Sequence, residues 1–476
     1  MRLFVAGDVV RAFKLACNPS QPASATGFFI DAIEGFDSFC AALGKVAPTI
    51  SAMRQFVDTS TLRSVRAPDD STLIVMLRAP RPDFLNVAAL PYLAPVPREY
   101  LDYIPDGPEF RQHTISIGPY RLRRYLPNRE FVYERNPVWT AASDPLRPAY
   151  VDRVIVTLGV DLQLQMLQIE AGTADLSPDP VRGADVGPML ASGNPVLWLS
   201  PTGPGGGSMS FLAINRVGPD RDAVLGKLEV RRALALAVDK AALVQVSAGP
   251  QVASPLRQAA PSFLAGHRPS DREYATPGDR GDASAARAML QRAGYPPDRP
   301  LRIAYPIGTD AVAQVLQASF AKAGLRVELK PLLTGEYYGR LLSDIGNARR
   351  GEWDLAVVSW YPDWYGKSNG RTVLPTLFDG RTVGKNVTNY GGFSADSVNL
   401  AIDRAANAVD TPTADSLWHE MSLLLSREVA LIPLLETKYP WPRSRRVRGC
   451  TWDSYSLGCN LTNLWLARPP MGEAAR

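Results

Sequence analysis

The order of hydrophobic and polar positions predicts a chain of alternating helices and strands. Apolar positions spaced three to four residues apart predict helices over residues 8–16, 83–90, 162–171, 228–238, 285–293, 311–323, 336–343, 395–408 and 413–427. Short runs rich in β-branched and aromatic residues predict strands over residues 72–77, 120–126, 131–134, 151–158, 211–214, 301–305, 325–329, 353–358 and 430–435. Pro127 and Asn128 separate two of these strands and predict a hairpin.

The pattern changes after the run TGPGGG at residues 202–207, which we interpret as a flexible connector. From about residue 285 onward, single strands alternate with single helices. This order is typical of a parallel or mixed sheet covered by helices. The fold class predicted from the pattern is therefore α/β.

Length and charge limit the classes of protein to be considered. A chain of 476 residues with 46% hydrophobic content exceeds one hydrophobic core, so two or three domains are expected. The net charge is only +5. The basic clusters at residues 349–350 and 443–448 lack the interleaved aromatic residues of a nucleic-acid surface, and we interpret them as solvated. The sequence has no apolar stretch of about 18 residues that would span a membrane.

The cysteine and histidine content argues against a metal site. The three histidines are far apart, and no cysteines form a C-x-x-C pair, so the ligands of a zinc site are missing. The even number of cysteines favours two disulfides, Cys450–Cys459 as the local pair and Cys17–Cys40 as the other, in an oxidising compartment. Four buried free thiols are the alternative.

The sequence offers no catalytic motif, so we predict a protein that is not an enzyme and holds no cofactor. It contains no G-x-S-x-G phrase. The glycines at residues 203–207 are not followed by the G-K-[ST] of a phosphate-binding loop.

Four collinear segments carry a family resemblance. They are GDVVRAFKLACNP (7–19), SIGPYRLRRYLPNREFVYERNPVW (116–139), LEVRRALALAVDK (228–240) and WDLAVVSWYPDWY (353–365). Together they resemble family 5 of the extracellular solute-binding proteins, the peptide, oligopeptide and nickel class of ABC transporters. The strands that precede the first segment in that family are missing here, so we expect Met1 to be internal to a longer gene. The alternative is an N-terminally trimmed form of the family.

The resemblance implies a bilobal, periplasmic-binding-protein-like fold of the cluster C type, with mixed sheets and a small extra subdomain. Residues 1–105 are expected to complete the subdomain. Residues 106–207, with about 456–476, are expected to form the first lobe, and residues 208–455 the second.

The resemblance also implies a function. Such a protein captures short peptides between two closing lobes and delivers them to membrane permease subunits with their ATPases. We expect an extracytoplasmic monomer, either a lipid-anchored lipoprotein or periplasmic, that binds no nucleic acid. The alternatives are an oligosaccharide or metal chelate as ligand, or a sensing relative without a transport role.

The site residues follow from the segment at residues 353–365. Asp363 matches the acidic residue of the family's W-x-A-D-Y phrase and ends a predicted strand, so it is expected to hold a peptide's amino group. The alternative is a carboxylate that caps a turn after Pro362. The expected pocket walls are Trp360, Tyr361, Trp364, Tyr365, Tyr337 and Tyr338, with Arg371 as a cation nearby. A solvated arginine is the alternative for Arg371. Core positions are the alternative for these aromatic residues.

Overall fold

A computed structural model describes residues 3–18, 26–105, 107–220, 224–384, 388–453 and 458–467. The chain forms two compact units. The first comprises Met1–Gln165, Arg446–Thr451 and Cys459–Arg476, and the second comprises Met166–Arg445 and Trp452–Gly458. The lobe boundaries expected at residues 105, 207 and 455 stay predictions.

The helices and strands have the following bounds. The α-helices are α1 Ala6–Leu15, α2 Thr26–Ala32, α3 Phe36–Leu43, α4 Ile50–Thr59, α5 Phe84–Ala88, α6 Leu162–Glu170, α7 Gly183–Ser192, α8 Leu228–Ala237, α9 Lys240–Val246, α10 Ala283–Arg292, α11 Asp310–Lys322, α12 Thr334–Glu336, α13 Ile345–Arg349, α14 Leu374–Phe378, α15 Asp396–Ala406 and α16 Thr411–Arg427. The strands are β1 Val65–Arg66, β2 Ile74–Val75, β3 Tyr120–Leu126, β4 Glu130–Arg135, β5 Arg153–Thr157, β6 Leu197–Leu199, β7 Ser208–Ile214, β8 Ala253–Pro255, β9 Leu301–Pro306, β10 Val327–Leu332, β11 Leu355–Trp360, β12 Leu431–Thr437, β13 Pro440–Pro442, β14 Val447–Arg448, β15 Trp452–Asp453, β16 Gly458–Cys459 and β17 Trp465–Leu466. Short 3₁₀ turns lie at Pro91–Leu93, Arg98–Asp102, Phe110–Gln112, Ala141–Ser143, Gly203–Gly205, Pro277–Asp279, Asn369–Thr372 and Gly380–Thr382, and a π-helix lies at Tyr337–Leu342.

The first unit contains the predicted hairpin. Strands β3, β4 and β5 form an antiparallel sheet in that order. The turn between β3 and β4 places Asn128 at a φ of 59°, a left-handed conformation that asparagine tolerates better than most residues. The hairpin is therefore confirmed.

Two disulfides lie in the first unit and confirm the predicted pairs. Cys17 and Cys40 have Cα atoms 5.5 Å apart, and the Cα atoms of Cys450 and Cys459 are 4.9 Å apart. The first bridge links the end of α1 to α3. Beside it, the ring of Phe29 meets those of Phe13 and Phe36 edge to face at 5.7 and 6.0 Å.

The second unit is built on a mixed six-stranded sheet in the order β10-β9-β11-β7-β12-β8. Strands β10, β9 and β11 are parallel, and β7 and β12 are antiparallel to their neighbours. One hydrophobic core lies on each face of this sheet, so its central strands are almost wholly apolar. This arrangement confirms the predicted α/β class and its mixed sheet.

Some element boundaries differ from the prediction. Strand β11 runs from Leu355 to Trp360, two residues later than predicted, because Trp353 is only 1% exposed and packs into the core before the strand begins. The strand predicted over residues 72–77 is reduced to Ile74–Val75, which pairs only with the two residues of β1. The helix predicted over residues 336–343 is wider than an α-helix, with π-type turns.

Candidate functional site

The site lies at the C-terminal end of β11 in the second unit. The first four residues of β11 are buried, whereas Ser359 and Trp360 emerge from the core. The indole Nε1 of Trp360 donates a hydrogen bond to the carbonyl of Thr372, 3.2 Å away. That bond holds the ring at the end of β11, where the chain leaves the sheet.

Asp363 follows this strand end and is partly buried. Its burial raises the pKa of the carboxyl group from an ordinary value near 4 to about 6. In the described part of the chain, no donor and no cation pairs with this carboxylate. The turn-capping alternative for Asp363 would require a hydrogen bond to the backbone, and the described residues provide none.

Tyr365 forms the next wall of the site. Its hydroxyl donates a short hydrogen bond to the carbonyl of Gly207, and its ring meets Phe263 edge to face at 5.8 Å. Burial raises the pKa of this phenol, and the nearby charges of Tyr361 and Glu436 raise it further. Tyr365 therefore joins the loop after β11 to the start of β7.

The other predicted aromatic residues differ in their access to solvent. Tyr361 is exposed, while Trp364 is nearly buried and donates from Nε1 to the carbonyl of Lys367 at 3.2 Å. Tyr338 is partly buried, and its hydroxyl accepts a bond from the Ser359 amide at 3.4 Å, which places it at the end of β11.

Two of the predicted site residues are buried in the interior of the second unit. Tyr337 has no exposed surface, and its hydroxyl donates to the carbonyl of Val357 at 2.7 Å. We therefore leave Tyr337 out of the site proposed below. Arg371 is 4% exposed and belongs to the 3₁₀ turn Asn369–Thr372, behind Trp360. Its predicted role as a ligand cation stays a prediction.

Glu436, close to the end of β12, lies beside the candidate site, and the sequence reasoning did not single it out. It is 8% exposed and accepts hydrogen bonds from the backbone amide and the hydroxyl of Ser262, the former at 2.8 Å. The sequence did contain a signal for Glu436, because a charged residue directly follows the apolar run LIPLL at residues 431–435. Its place beside Tyr365 depends on strand pairing, which no local pattern reveals.

A cluster of aromatic rings was also missed. Trp198 of β6 pairs directly with Trp441 of β13, and their ring centroids are 6.0 Å apart. The ring of Trp452 lies 5.9 Å from Trp198 and 6.0 Å from Tyr439. Trp198 is distant in sequence from Trp441 and Trp452, and the pairing of β6 with β13 brings it to Trp441.

The described residues contain no group of three or more histidine, cysteine, aspartate or glutamate side chains able to hold a metal ion. In that same part of the chain, no helix is long and apolar enough to cross a membrane.

Comparisons with known proteins identify the family. Residues 3–376 match the bacterial extracellular solute-binding proteins, family 5. The chain is 27% identical over 376 residues to di/tripeptide-binding protein 4 of Pseudomonas aeruginosa, a match covering 75% of this chain and 60% of that protein. It is 22% identical over 461 residues to heme-binding protein A of Haemophilus influenzae, covering 94% of this chain and 74% of that protein. The chain thus spans about three fifths of the length of the di/tripeptide-binding relative.

Solved structures share the fold. Clavulanic acid biosynthesis oligopeptide binding protein 2 superposes with a TM-score of 0.80 at 25% identity, covering 98% of this chain and 81% of that one. The periplasmic binding protein DppA from Helicobacter pylori, in complex with the peptide STSA, gives a TM-score of 0.72 at 18% identity, covering 98% and 82%. These likenesses confirm the predicted periplasmic-binding-protein-like fold. The chain belongs to family 5 of the bacterial extracellular solute-binding proteins.

Proposed function

We propose that this protein captures short peptides by their free amino group and delivers them to the permease of an ATP-driven importer. Family membership supports a binding role rather than catalysis. The names of its relatives support peptides as the ligand class, since several are di/tripeptide-binding proteins. The lobes predicted over residues 106–207 with 456–476 and over residues 208–455 remain part of this proposal.

The observation that carries the proposal is the unpaired carboxylate of Asp363. A partly buried carboxylate without a donor or cation is unfavourable in the free protein, as its raised pKa of about 6 reflects. An ammonium group supplies both the missing charge and the missing hydrogen bonds. Every peptide with a free amino terminus presents that group, so this contact does not depend on peptide sequence.

The aromatic residues around Asp363 supply the rest of the proposed site. Trp360, Tyr338 and Tyr365 are each oriented by a hydrogen bond to or from the backbone. Rings held in this way form walls that accept varied side chains through apolar contact.

We further propose an extracytoplasmic location, lipid-anchored or periplasmic, with permease subunits and their ATPases as partners. Two disulfides support an oxidising compartment.

Calorimetric titration with trialanine and with N-acetyl-trialanine tests the proposal. We expect trialanine to bind and the acetylated peptide to bind at least tenfold more weakly, because acetylation removes the ammonium charge. Asp363→Asn should weaken trialanine binding by about 10- to 150-fold, the equivalent of the 1.5–3 kcal/mol of a hydrogen bond to a charged group.

Asp298→Asn is the matched control, because Asp298 is an exposed aspartate of the same unit. It should bind trialanine like the wild type. Equal affinity for both peptides would refute amine anchoring. Binding of an oligosaccharide or a metal chelate, with no peptide of two to five residues bound, would refute the proposed ligand class.

A further inference from the structure

A second carboxylate lies at the same end of the sheet's strands as the proposed amine site. Strand pairing aligns Trp360 with Met209 and Met209 with Glu436, so the three residues form one row across β11, β7 and β12. Residues directly opposite one another in a sheet project from the same face. Neighbouring strands are about 4.8 Å apart, so the Cα atoms of Trp360 and Glu436 are separated by about 10 Å.

The charge of Glu436 is not neutralised by the protein. Among the described residues, its side chain is bonded only by Ser262, which is neutral, and no lysine, arginine or histidine pairs with it. A carboxylate that is 8% exposed usually has a cationic partner, because removing its charge from water is costly. Two hydrogen bonds also leave about half of the acceptor positions of a carboxylate unused.

The surroundings connect Glu436 to the proposed peptide site. Gly207 lies next to this carboxylate, because a Cβ atom there would be 3.7 Å from Oε1 of Glu436, an ordinary van der Waals contact. Tyr365 bonds to the carbonyl of the same glycine. The charge of Glu436 contributes to the raised pKa of Tyr365, which is consistent with this proximity.

We infer that Glu436 binds the cationic side chain of a lysine or arginine residue in the ligand, so that basic peptides are the preferred ligands of this protein. The inference rests on the proposed function. Asp363 lies two residues before Tyr365, whose hydroxyl bonds to Gly207 beside Glu436. An extended peptide advances about 3.3 Å per residue, so with its amino group at Asp363 one of its first three side chains would point toward Glu436. An ammonium or guanidinium group there would donate charge-assisted hydrogen bonds to the unused positions of Glu436.

Matched peptides test the inference. Lysine and norleucine have the same aliphatic stem, but only lysine carries a charge. Each is placed in turn at the first, second and third positions of trialanine, and the dissociation constants are measured by calorimetry. In the wild type we expect the lysine peptide to bind at least tenfold more tightly than its norleucine partner at one position. In Glu436→Gln, this ratio should fall below about two at that position.

Glu328→Gln is the control, because Glu328 is an exposed glutamate of the same unit paired with Arg326, and it should keep the wild-type ratio. A wild-type ratio below two at every position, with the peptides still bound, overturns the inference and leaves the proposed function intact. A tenfold ratio that persists in Glu436→Gln also overturns it. If no peptide binds at all, the proposed function itself fails. Should Glu436→Gln not fold, Glu436→Asp takes its place: it keeps the charge but withdraws it along a shorter side chain, so the ratio should fall several-fold, and an unchanged ratio overturns the inference.

Discussion

At the scale of single residues, the proposed site is defined by two carboxylates that have no cationic partner in the described part of the chain. Asp363 has no partner among the described residues, and Glu436 is bonded only by Ser262. The burial of Asp363 costs free energy in the unliganded protein, since it disfavours the charged form of this carboxyl and raises its pKa to about 6. In the proposed function and the further inference, ligand cations would pair with both carboxylates on binding.

The raised pKa of Asp363 predicts that peptide affinity depends on pH. The ammonium group binds the ionised carboxylate, and the pKa of that carboxyl is about 6 in the free protein. Affinity should therefore change little between pH 7 and 6.5 and then fall, by about tenfold for each unit well below 6, because a proton must first be removed from Asp363. Calorimetry with trialanine between pH 4.5 and 7 measures this dependence.

The same titration with two variants tests whether Asp363 is the group that causes the pH dependence. Asp363→Asn should bind weakly and almost independently of pH over this range, whereas Asp298→Asn should follow the wild type. A wild-type affinity that stays constant down to pH 4.5 would show that the carboxyl of Asp363 is not the titrating group.

At the scale of elements, strand β11 is anchored at its beginning so that its end can carry the site. Asp354, just before β11, is 2% exposed and accepts bonds from Arg299 Nη2 at 2.7 Å and from the Arg302 amide at 2.8 Å. Arg299 also pairs with Asp220, and these bonds to carboxylates raise the pKa of its guanidinium despite burial. The network ties β9 to the start of β11.

Asp354→Ala should destabilise the protein by about 3–5 kcal/mol, because it leaves the buried guanidinium of Arg299 with an incomplete set of acceptors. Urea unfolding measures the change. The comparison is Glu328→Ala, which removes an exposed ion pair with Arg326 and should cost about 1 kcal/mol or less. Similar losses in the two variants would contradict a structural role for the Asp354 network.

The local pattern predicted about half of the helices and strands, among them β9, α11 and β12, because helix and strand periods are properties of neighbouring residues. It did not predict the short helices α2, α3 and α4. It placed β11 two residues early, since the burial of Trp353 before the strand resembles burial within it. It singled out Asp363, which lies in a contiguous motif, and the role of Asp363 stays a prediction. It did not find Glu436 or the pair formed by Trp198 and Trp441, because these depend on pairing between strands more than 200 residues apart in sequence. Such pairings are decided by the packing of the whole unit.

At the scale of the whole molecule, the two units reach stability in different ways. The second unit buries a six-stranded sheet between two hydrophobic cores. The first unit has β1 and β2 of only two residues each, and its β3–β5 sheet leaves Ile155 exposed. Short elements bury little apolar surface, so cross-links contribute a larger share of the stability of such a unit.

Removing either disulfide should therefore destabilise the first unit, and the longer loop should matter more. The chain-entropy relation gives about 3.4 kcal/mol for Cys17–Cys40, whose sequence separation is 23, and about 2.6 kcal/mol for Cys450–Cys459, whose separation is 9. Double serine variants of each pair, unfolded in urea, measure the two losses separately. Dithiothreitol should lower the stability of the wild type by both losses together, and that of each double variant by the loss of its remaining bridge.

Unchanged unfolding in all of these samples would mean that the core of the first unit is sufficient without its bridges. A larger loss for the shorter loop would mean that strain or residual structure, rather than loop closure, determines their contribution, since chain entropy increases only with loop length.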